Sequence, residues 1–271
     1  NESNFKPNQI MSRVRRTFNS ASDKYNDNAF LQNEIAKRLS EKLKVISINP
    51  ENIIDLGSGT GFLSDKTADI FPNASLFCVD FAQQSLKNNS QNLKVCADAY
   101  ELPFASNSVD FVVSNLMIQW CPDLKTLFNE CFRVLKPHGL ILFTTFGPET
   151  LQELKRSWSV VDNEAHVNDF IDMHDIGDQM IQSGFQSPIM EMEKLTLTYE
   201  KVLDLMHDLK GIGAQTVENR SKSLTGKTKF KKMLEMYESY RDNGKIPATY
   251  EVIYGHAWKN EIKLGAISLE N

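Results

Sequence analysis

The sequence predicts an α/β fold, a doubly wound and mostly parallel sheet, and three observations carry that prediction. An apolar run (Ile53, Ile54, Leu56) meets three glycines at alternate positions, Gly57, Gly59 and Gly61, and a helix-like segment follows. Strand-like and helix-like segments then alternate as far as residue 146, which implies right-handed βαβ units with helices on both faces of the sheet. Polar residues stand at successive strand ends, Asp80, Asp98 and Asn115, so side-chain chemistry collects along one carboxyl edge, where open α/β sheets bind ligands.

The elements follow in order. Leu31, Ile35, Leu39 and Leu43 recur every four residues and give a helix one apolar face, which Asn49-Pro50 closes off. Strands are expected over 52–56, 75–79, 92–96, 109–114 and 139–146, with helices near 60–71, 82–90 and 122–135. Lys136-Pro137-His138-Gly139 reads as a sharp helix-to-strand turn, with Pro stopping the helix and Gly free to turn. A helix near 173–183 ends at Gly184, and two more strands are expected at 188–198 and from Thr249 to Trp258. The polar, helix-prone insertion between those strands, 200–246, is read as a cap over the carboxyl edge.

Bulk properties narrow the function. At 271 residues the chain is long enough for one large α/β domain with a helical insertion. Its net charge of −5 argues against broad nucleic-acid binding, which needs a basic face. No apolar run approaches a membrane span, and residues 1–9 are polar and lack a signal-peptide core. Cys78, Cys96, Cys121 and Cys131 sit singly in apolar segments with no C-x-x-C pair. They read as reduced core thiols in a cytoplasmic protein rather than as a metal site.

The glycine turn points to a nucleotide-like ligand, because glycines let a backbone turn tightly and approach a ligand closely. The dinucleotide fingerprint G-x-G-x-x-G fails here, since its third glycine position holds Phe62. The spacing is instead G-x-G-x-G, with Asp55 two residues ahead and Ser58 inside the turn. Asp80, about 20 residues beyond the turn, is placed to accept both ribose hydroxyls of an adenosine, although a helix-capping acid fits that position too. Phe81 is placed against an adenine face, with core packing as its other reading. Asp98, with Ala99 beside it, is placed for the adenine amine, and Asn115 for the far end of the same ligand.

The motifs D-L-G-S-G-T-G (55–61), V-D-F (79–81), A-D-A-Y-E-L-P-F (97–104) and R-V-L-K-P-H-G (133–139) resemble those of the class I S-adenosylmethionine (SAM) methyltransferases. The resemblance narrows to the malonyl-[acyl-carrier protein] O-methyltransferases of biotin biosynthesis. It rests on V-R-R-T-F-N-S-A-S-D-K-Y (14–25), S-N-L-M-I-Q-W-C (114–121), F-G-P-E-T-L-Q-E-L (146–154), H-V-N-D-F-I-D-M-H-D-I-G-D (166–178) and P-A-T-Y-E-V-I-Y-G-H-A-W (247–258). Two departures are small: family members often have Cys at Ser58 and Gly at His138. The resemblance implies a Rossmann-like sheet whose last strand is antiparallel, an N-terminal helical lid (1–48), a SAM-binding core (49–199), the cap (200–246) and a last strand with tail (247–271). Within that lid Tyr25 is expected to fold over the cofactor.

The implied reaction is methyl transfer from SAM to the free carboxylate of a malonyl thioester on acyl-carrier protein. A carboxylate is ionised at neutral pH, so no general base is needed. One moderate cationic or hydrogen-bonding holder is expected, with Arg156, His166 and His174 as candidates and Lys210 and Tyr250 as rivals. Gln119 and Trp120 are placed to line the pocket. The acidic carrier calls for a basic docking site, either Arg220, Lys222, Lys227, Lys229, Lys231 and Lys232 or Arg13, Arg15 and Arg16. Two other readings stay open: a protein-arginine hydroxylase like those of the related complex I assembly group, and a SAM-binding scaffold without chemistry.

Overall fold

The computed structural model describes residues 30–211 and 224–260. Helix α1 (Phe30–Val45) opens the described chain, its apolar stripe of Leu31, Ile35, Leu39 and Leu43 at most 4% exposed. The alternating section follows as β1 (Asn52–Leu56), α2 (Phe62–Ile70), β2 (Ser75–Asp80), α3 (Gln83–Lys87), β3 (Leu93–Cys96) and β4 (Val109–Asn115). A 3-10 turn at Ile118–Trp120 leads into α4 (Leu124–Val134), β5 (Leu135–Phe146) and α5 (Gln152–Ser159). The chain closes with α6 (Met173–Gln182), β6 (Gln186–Tyr199), α7 (Val202–Gly211), α8 (Leu224–Glu238) and β7 (Ile246–Trp258).

Among the described residues seven strands form one sheet in the order β3-β2-β1-β4-β5-β7-β6. Strands β1 to β5 pair in parallel, and β7 runs antiparallel to both β5 and β6. The expected mostly parallel sheet with an antiparallel last strand is therefore observed. The order reverses between β1 and β4, and a crevice opens outside the strand ends at such a switch point.

Two apolar clusters cover the two faces. One joins α1, α2, α7 and α8 to the sheet through Ile53, Phe111, Leu142 and Tyr250. The other joins α4 and α6 through Phe128, Phe143 and Met180. Strand β6 ends at the same edge as β5, because Tyr199 pairs with Ile246 and Phe146 with Val252. The two insertion helices therefore leave the sheet at the carboxyl edge, and they pack there through Leu205, Leu209, Met233 and Tyr237.

Three local expectations are revised. The Lys136–Gly139 turn lies inside β5 as an irregularity: pairing with β4 jumps from Val109↔Leu135 to Phe111↔Leu140. The left-handed residue there is His138 (φ 63). Gly139 matters for a different reason, since a Cβ on it would meet the Lys136 carbonyl at 2.8 Å. Second, Cys96 is exposed, unlike Cys78, Cys121 and Cys131, because it ends the edge strand β3. Third, residues Gln152–Ser159 after β5 form helix α5, where no helix is expected from the sequence.

Candidate active site

A cavity sits outside the carboxyl ends of β1, β2, β3, β4 and β5. It is lined by Asp55 and Leu56, the turn residues Gly57 to Thr60, Val79 to Phe81, Ala97 and Ala99, Asn115 to Met117, Gln119 to Cys121, and Phe146. Leu31 and Gln32 of α1 form the wall on the N-terminal side.

The glycine turn is built by three different demands. Gly57 is left-handed (φ +73), and a Cβ there would lie 2.2 Å from Met117 Cγ, so only glycine admits the Met117 side chain. Gly59 is also left-handed (φ +53), but nothing lies within 4 Å of its virtual Cβ. Its open side leaves room for close approach of a ligand. Gly61 (φ +103) does not line the cavity, and a Cβ on it would lie 3.0 Å from Asn89 Oδ1. Gly61 is thus kept free of a side chain by its left-handed backbone and by the tight approach of Asn89.

Asp80 clamps this turn. Its Oδ2 accepts from the Gly59 amide at 2.9 Å and its Oδ1 from the Ala82 amide at 2.7 Å. Burial pushes its pKa upward against those amide bonds. Each oxygen keeps a further lone pair for another donor. Asp55, 1% exposed, accepts from Ser64 Oγ at 2.5 Å through Oδ2, while its Oδ1 has no protein partner. Burial raises the Asp55 pKa to about 7, with the Ser64 bond opposing and the neighbouring Asp80 adding to the shift. Buried oxygens without a protein partner recur around the same cavity: Gln32 Oε1, Ser58 Oγ and Thr60 Oγ1. Unsatisfied buried polar atoms are costly, so a cluster of them marks where a polar ligand binds.

The β4 terminus is equally fixed. Asn115 Nδ2 donates to the Gln32 carbonyl at 3.1 Å, and its Oδ1 accepts from Thr144 Oγ1 at 2.7 Å. Leu116 takes a left-handed φ of 52°, which costs energy in a non-glycine residue. Its amide donates to both the carbonyl and the hydroxyl of Thr144, and these two bonds hold the strained residue. That bend carries Met117 to Trp120 over the cavity.

The structure gathers Asp55, Gly57, Ser58, Gly59, Asp80, Phe81, Ala99 and Asn115 around one cavity. Asp98 is exposed at the rim between Ala97 and Ala99, where its Oδ1 accepts from the Tyr100 amide. The acceptor candidates Arg156, His166 and His174 are not brought to this cavity. Arg156 is exposed on α5. His166 stacks on Trp158 with ring centroids 3.7 Å apart and pairs with Asp162 at 2.7 Å. His174 bonds Asp172 at the start of α6 and is 79% exposed. Tyr250 is buried beneath the cap, against Phe146. Tyr25, Arg13, Arg15, Arg16, Arg220, Lys222 and the side chain of Lys210 lie outside the described residues. The sequence does not mark Gln32, Thr60 or Leu31 as cavity residues; the apolar stripe of α1 that includes Leu31 signals a packed helix but not which polar neighbour faces a ligand.

Asp162, Glu164 and His166 bring ligand atoms within 4.8 Å of one another, a spacing that suits a metal. Lys229 of α8 already supplies a cation to them, 2.9 Å from Asp162 and 3.8 Å from Glu164. Burial opposes ionisation of Asp162, but the bonds from Lys229 and His166 outweigh it and hold the carboxyl at about 2.

A family profile described as "Methyltransferase domain" matches residues 54–143, the stretch from β1 to β5 that frames the cavity. A malonyl-[acyl-carrier protein] O-methyltransferase of Gallionella capsiferriformans is 45% identical over 260 residues, covering 91% of this chain and 90% of the relative. The chain belongs to the malonyl-[acyl-carrier protein] O-methyltransferase family. A second member, from Nitrosospira multiformis, is 42% identical and is covered over 88% of its length, with 91% of this chain matched. Among solved structures, a SAM-dependent methyltransferase of Archaeoglobus fulgidus shares the fold, with a TM-score of 0.51 at 15% identity over 84% of this chain and 94% of that one. The chain is thus a SAM-dependent methyltransferase by family, and the G-x-G-x-G turn is the part of the family pattern most visible in its geometry. No helix among the described residues is long and apolar enough to cross a membrane.

Proposed function

We propose that the protein transfers the methyl group of SAM to the free carboxylate of a malonyl group held as a thioester on acyl-carrier protein. The product is the malonyl-carrier methyl ester that primes the pimeloyl stage of biotin synthesis, and the reaction belongs in the cytoplasm. The single observation that carries this reading is the 45% identity over 91% of the chain to a relative of that name. It favours the carboxyl methyltransferase over the arginine-hydroxylase and scaffold readings.

The cavity fits the cofactor. When bound, SAM supplies an electrophilic methyl on a positively charged sulfur. In our reading Asp80 accepts the ribose hydroxyls with the lone pairs its two amide bonds leave over, and Phe81 covers an adenine face. Gly59 permits close backbone approach. Asp55 Oδ1 and Gln32 Oε1 take up donors of the methionine portion, as does Ser58 Oγ. Asp98 serves the adenine from the rim, and Tyr25 closes the site as part of the lid. An ionised carboxylate needs no base, so the chain's remaining task is alignment and exclusion of water. Leu31, Leu116, Phe146 and Trp120 supply apolar cover for that purpose.

The exposed lysines of α8, Lys227, Lys231 and Lys232, are read as part of the docking surface for the acidic carrier. Lys229 is committed to Asp162 and Glu164 instead. The test is transfer of labelled methyl from SAM to malonyl-carrier, with acetyl-carrier as the control. Label on the malonyl form alone supports the reading; no label, or equal label on both, refutes it.

A further inference from the structure

Resting on that acceptor reading, we propose that Gln119 is the residue that holds the malonyl carboxylate, through one N–H of its side-chain amide. Among the described residues no Lys, Arg or His lines the cavity. Its two carboxylates, Asp55 and Asp80, lie at the ends of β1 and β2, on the side of the glycine turn. Like charge keeps an anionic acceptor away from that side. The opposite end, at the termini of β4 and β5, presents the neutral side-chain amides of Asn115 and Gln119.

Of these, Gln119 has a donor to spare in a fixed direction. Its Nε2 donates to the Leu116 carbonyl at 2.7 Å, and its Oε1 accepts from Thr145 Oγ1 at 3.2 Å. A backbone carbonyl only accepts, so the NH2 end of the amide must face Leu116 and the orientation is set by chemistry. One hydrogen of that NH2 group is used there, and the second remains on a side chain that lines the cavity. The Asn115 amide keeps one N–H in the same way, beyond its bonds with Gln32 and Thr144, but this residue is already read as a contact of the cofactor. Thr145 is 2% exposed within β5 and orients Gln119 from behind without lining the cavity. Leu116, locked by its two bonds to Thr144, fixes the other end of the amide.

A neutral holder also suits the reaction. The positive sulfur already attracts the carboxylate, and a second full charge would lower its nucleophilicity. An amide N–H aligns the oxygen while leaving its negative charge largely intact.

The test compares wild type with Gln119→Ala, Gln119→Glu, Thr145→Val and Thr145→Ser. Three quantities are read: cofactor affinity by calorimetry, kcat and KM for malonyl-carrier, and binding of malonyl- against acetyl-carrier in the presence of S-adenosylhomocysteine. Gln119→Ala is expected to lower kcat/KM by roughly ten- to a hundredfold, as for one hydrogen bond to a charged group. Gln119→Glu should abolish turnover by setting a carboxylate against a carboxylate. Cofactor affinity should stay within about twofold in Gln119→Ala, and the preference for the malonyl form should vanish in both variants. Thr145→Val should raise KM, and Thr145→Ser, which keeps the hydroxyl, should restore it. Wild type that prefers malonyl-carrier, together with Gln119 variants that keep both that preference and their kcat/KM, would overturn the assignment alone. Wild type that binds both carriers equally would overturn the acceptor reading and the assignment with it.

Discussion

The Oδ2 of Asp80 accepts a 2.9 Å hydrogen bond from the backbone amide of Gly59, which ties the end of β2 to the open glycine of the turn after β1. One carboxylate thus shapes the loop and, in our reading, also receives the ribose. Asp80→Ala leaves the Gly59 and Ala82 amides without their acceptor, at about 1–3 kcal/mol for each that stays buried. Stability should fall by about 2 kcal/mol or more in denaturant titrations, and SAM affinity by at least about tenfold in calorimetry. Unchanged SAM binding would remove Asp80 from the cofactor site.

Gly57 and Gly59 should separate in mutagenesis. Gly57→Ala places a methyl 2.2 Å from Met117 Cγ and should destabilise the fold strongly. Gly59→Ala carries only left-handed backbone strain of about 1–2 kcal/mol, since nothing lies near its Cβ position. The Gly59 variant should fold, with a modest loss of thermal stability, and should bind SAM far more weakly. Equal melting losses with intact SAM affinity in both variants would contradict the division of roles.

The Asp55 pKa of about 7 makes two pH dependences, both traceable to one carboxyl. The folded value lies above the unfolded one of about 3.9, so between them the native state holds the proton that the unfolded state has lost. The contribution to stability is therefore fully present below about pH 4 and is lost as pH rises through about 7. Cofactor affinity should run the other way, because a positively charged ligand favours the ionised carboxylate: affinity should rise from pH 6 to pH 8. Asp55→Asn should flatten both profiles, measured by thermal melts and calorimetry across that range. A pH-dependent affinity that survives in Asp55→Asn would assign the effect to another group.

Reversing the charges of Lys227, Lys231 and Lys232 together should raise KM for malonyl-carrier about tenfold at low salt, and the difference should shrink as salt is raised. A small malonyl thioester should be turned over as by wild type. Losses that are equal for both substrates would place these lysines in folding rather than in docking.

The fold was legible because its signals are local. Apolar runs such as Ile53-Ile54 bounded by turns mark buried strands, and Leu31, Ile35, Leu39 and Leu43 mark a packed helix whatever their surroundings. The family pattern of the glycine turn was legible in the same way. Two kinds of feature were not. Partners from distant positions, such as the Asn115 amide on the Gln32 carbonyl or Thr145 on Gln119, arise only when the strand order sets β4 beside β5 and α1 across them. The acceptor candidates illustrate the second. Arg156, His166 and His174 follow β5 in sequence, but α5 turns the first to solvent, and the other two are engaged by Asp162 and Asp172. Chain proximity to a strand end did not translate into access to the cavity. The left-handed His138 was hidden for a related reason, since the adjacent Gly139 drew the turn reading while the irregular β4–β5 register placed the positive φ one residue earlier.

Esterification of a malonyl carboxylate by this chain can be read from the intact mass of the carrier protein. Malonyl-carrier incubated with the protein and SAM should gain the mass of one methyl ester, and should not gain it when SAM is omitted or when acetyl-carrier is supplied. A malonyl-carrier whose mass stays unchanged, under conditions where calorimetry shows SAM bound to the protein, would rule out carboxyl methylation by this chain.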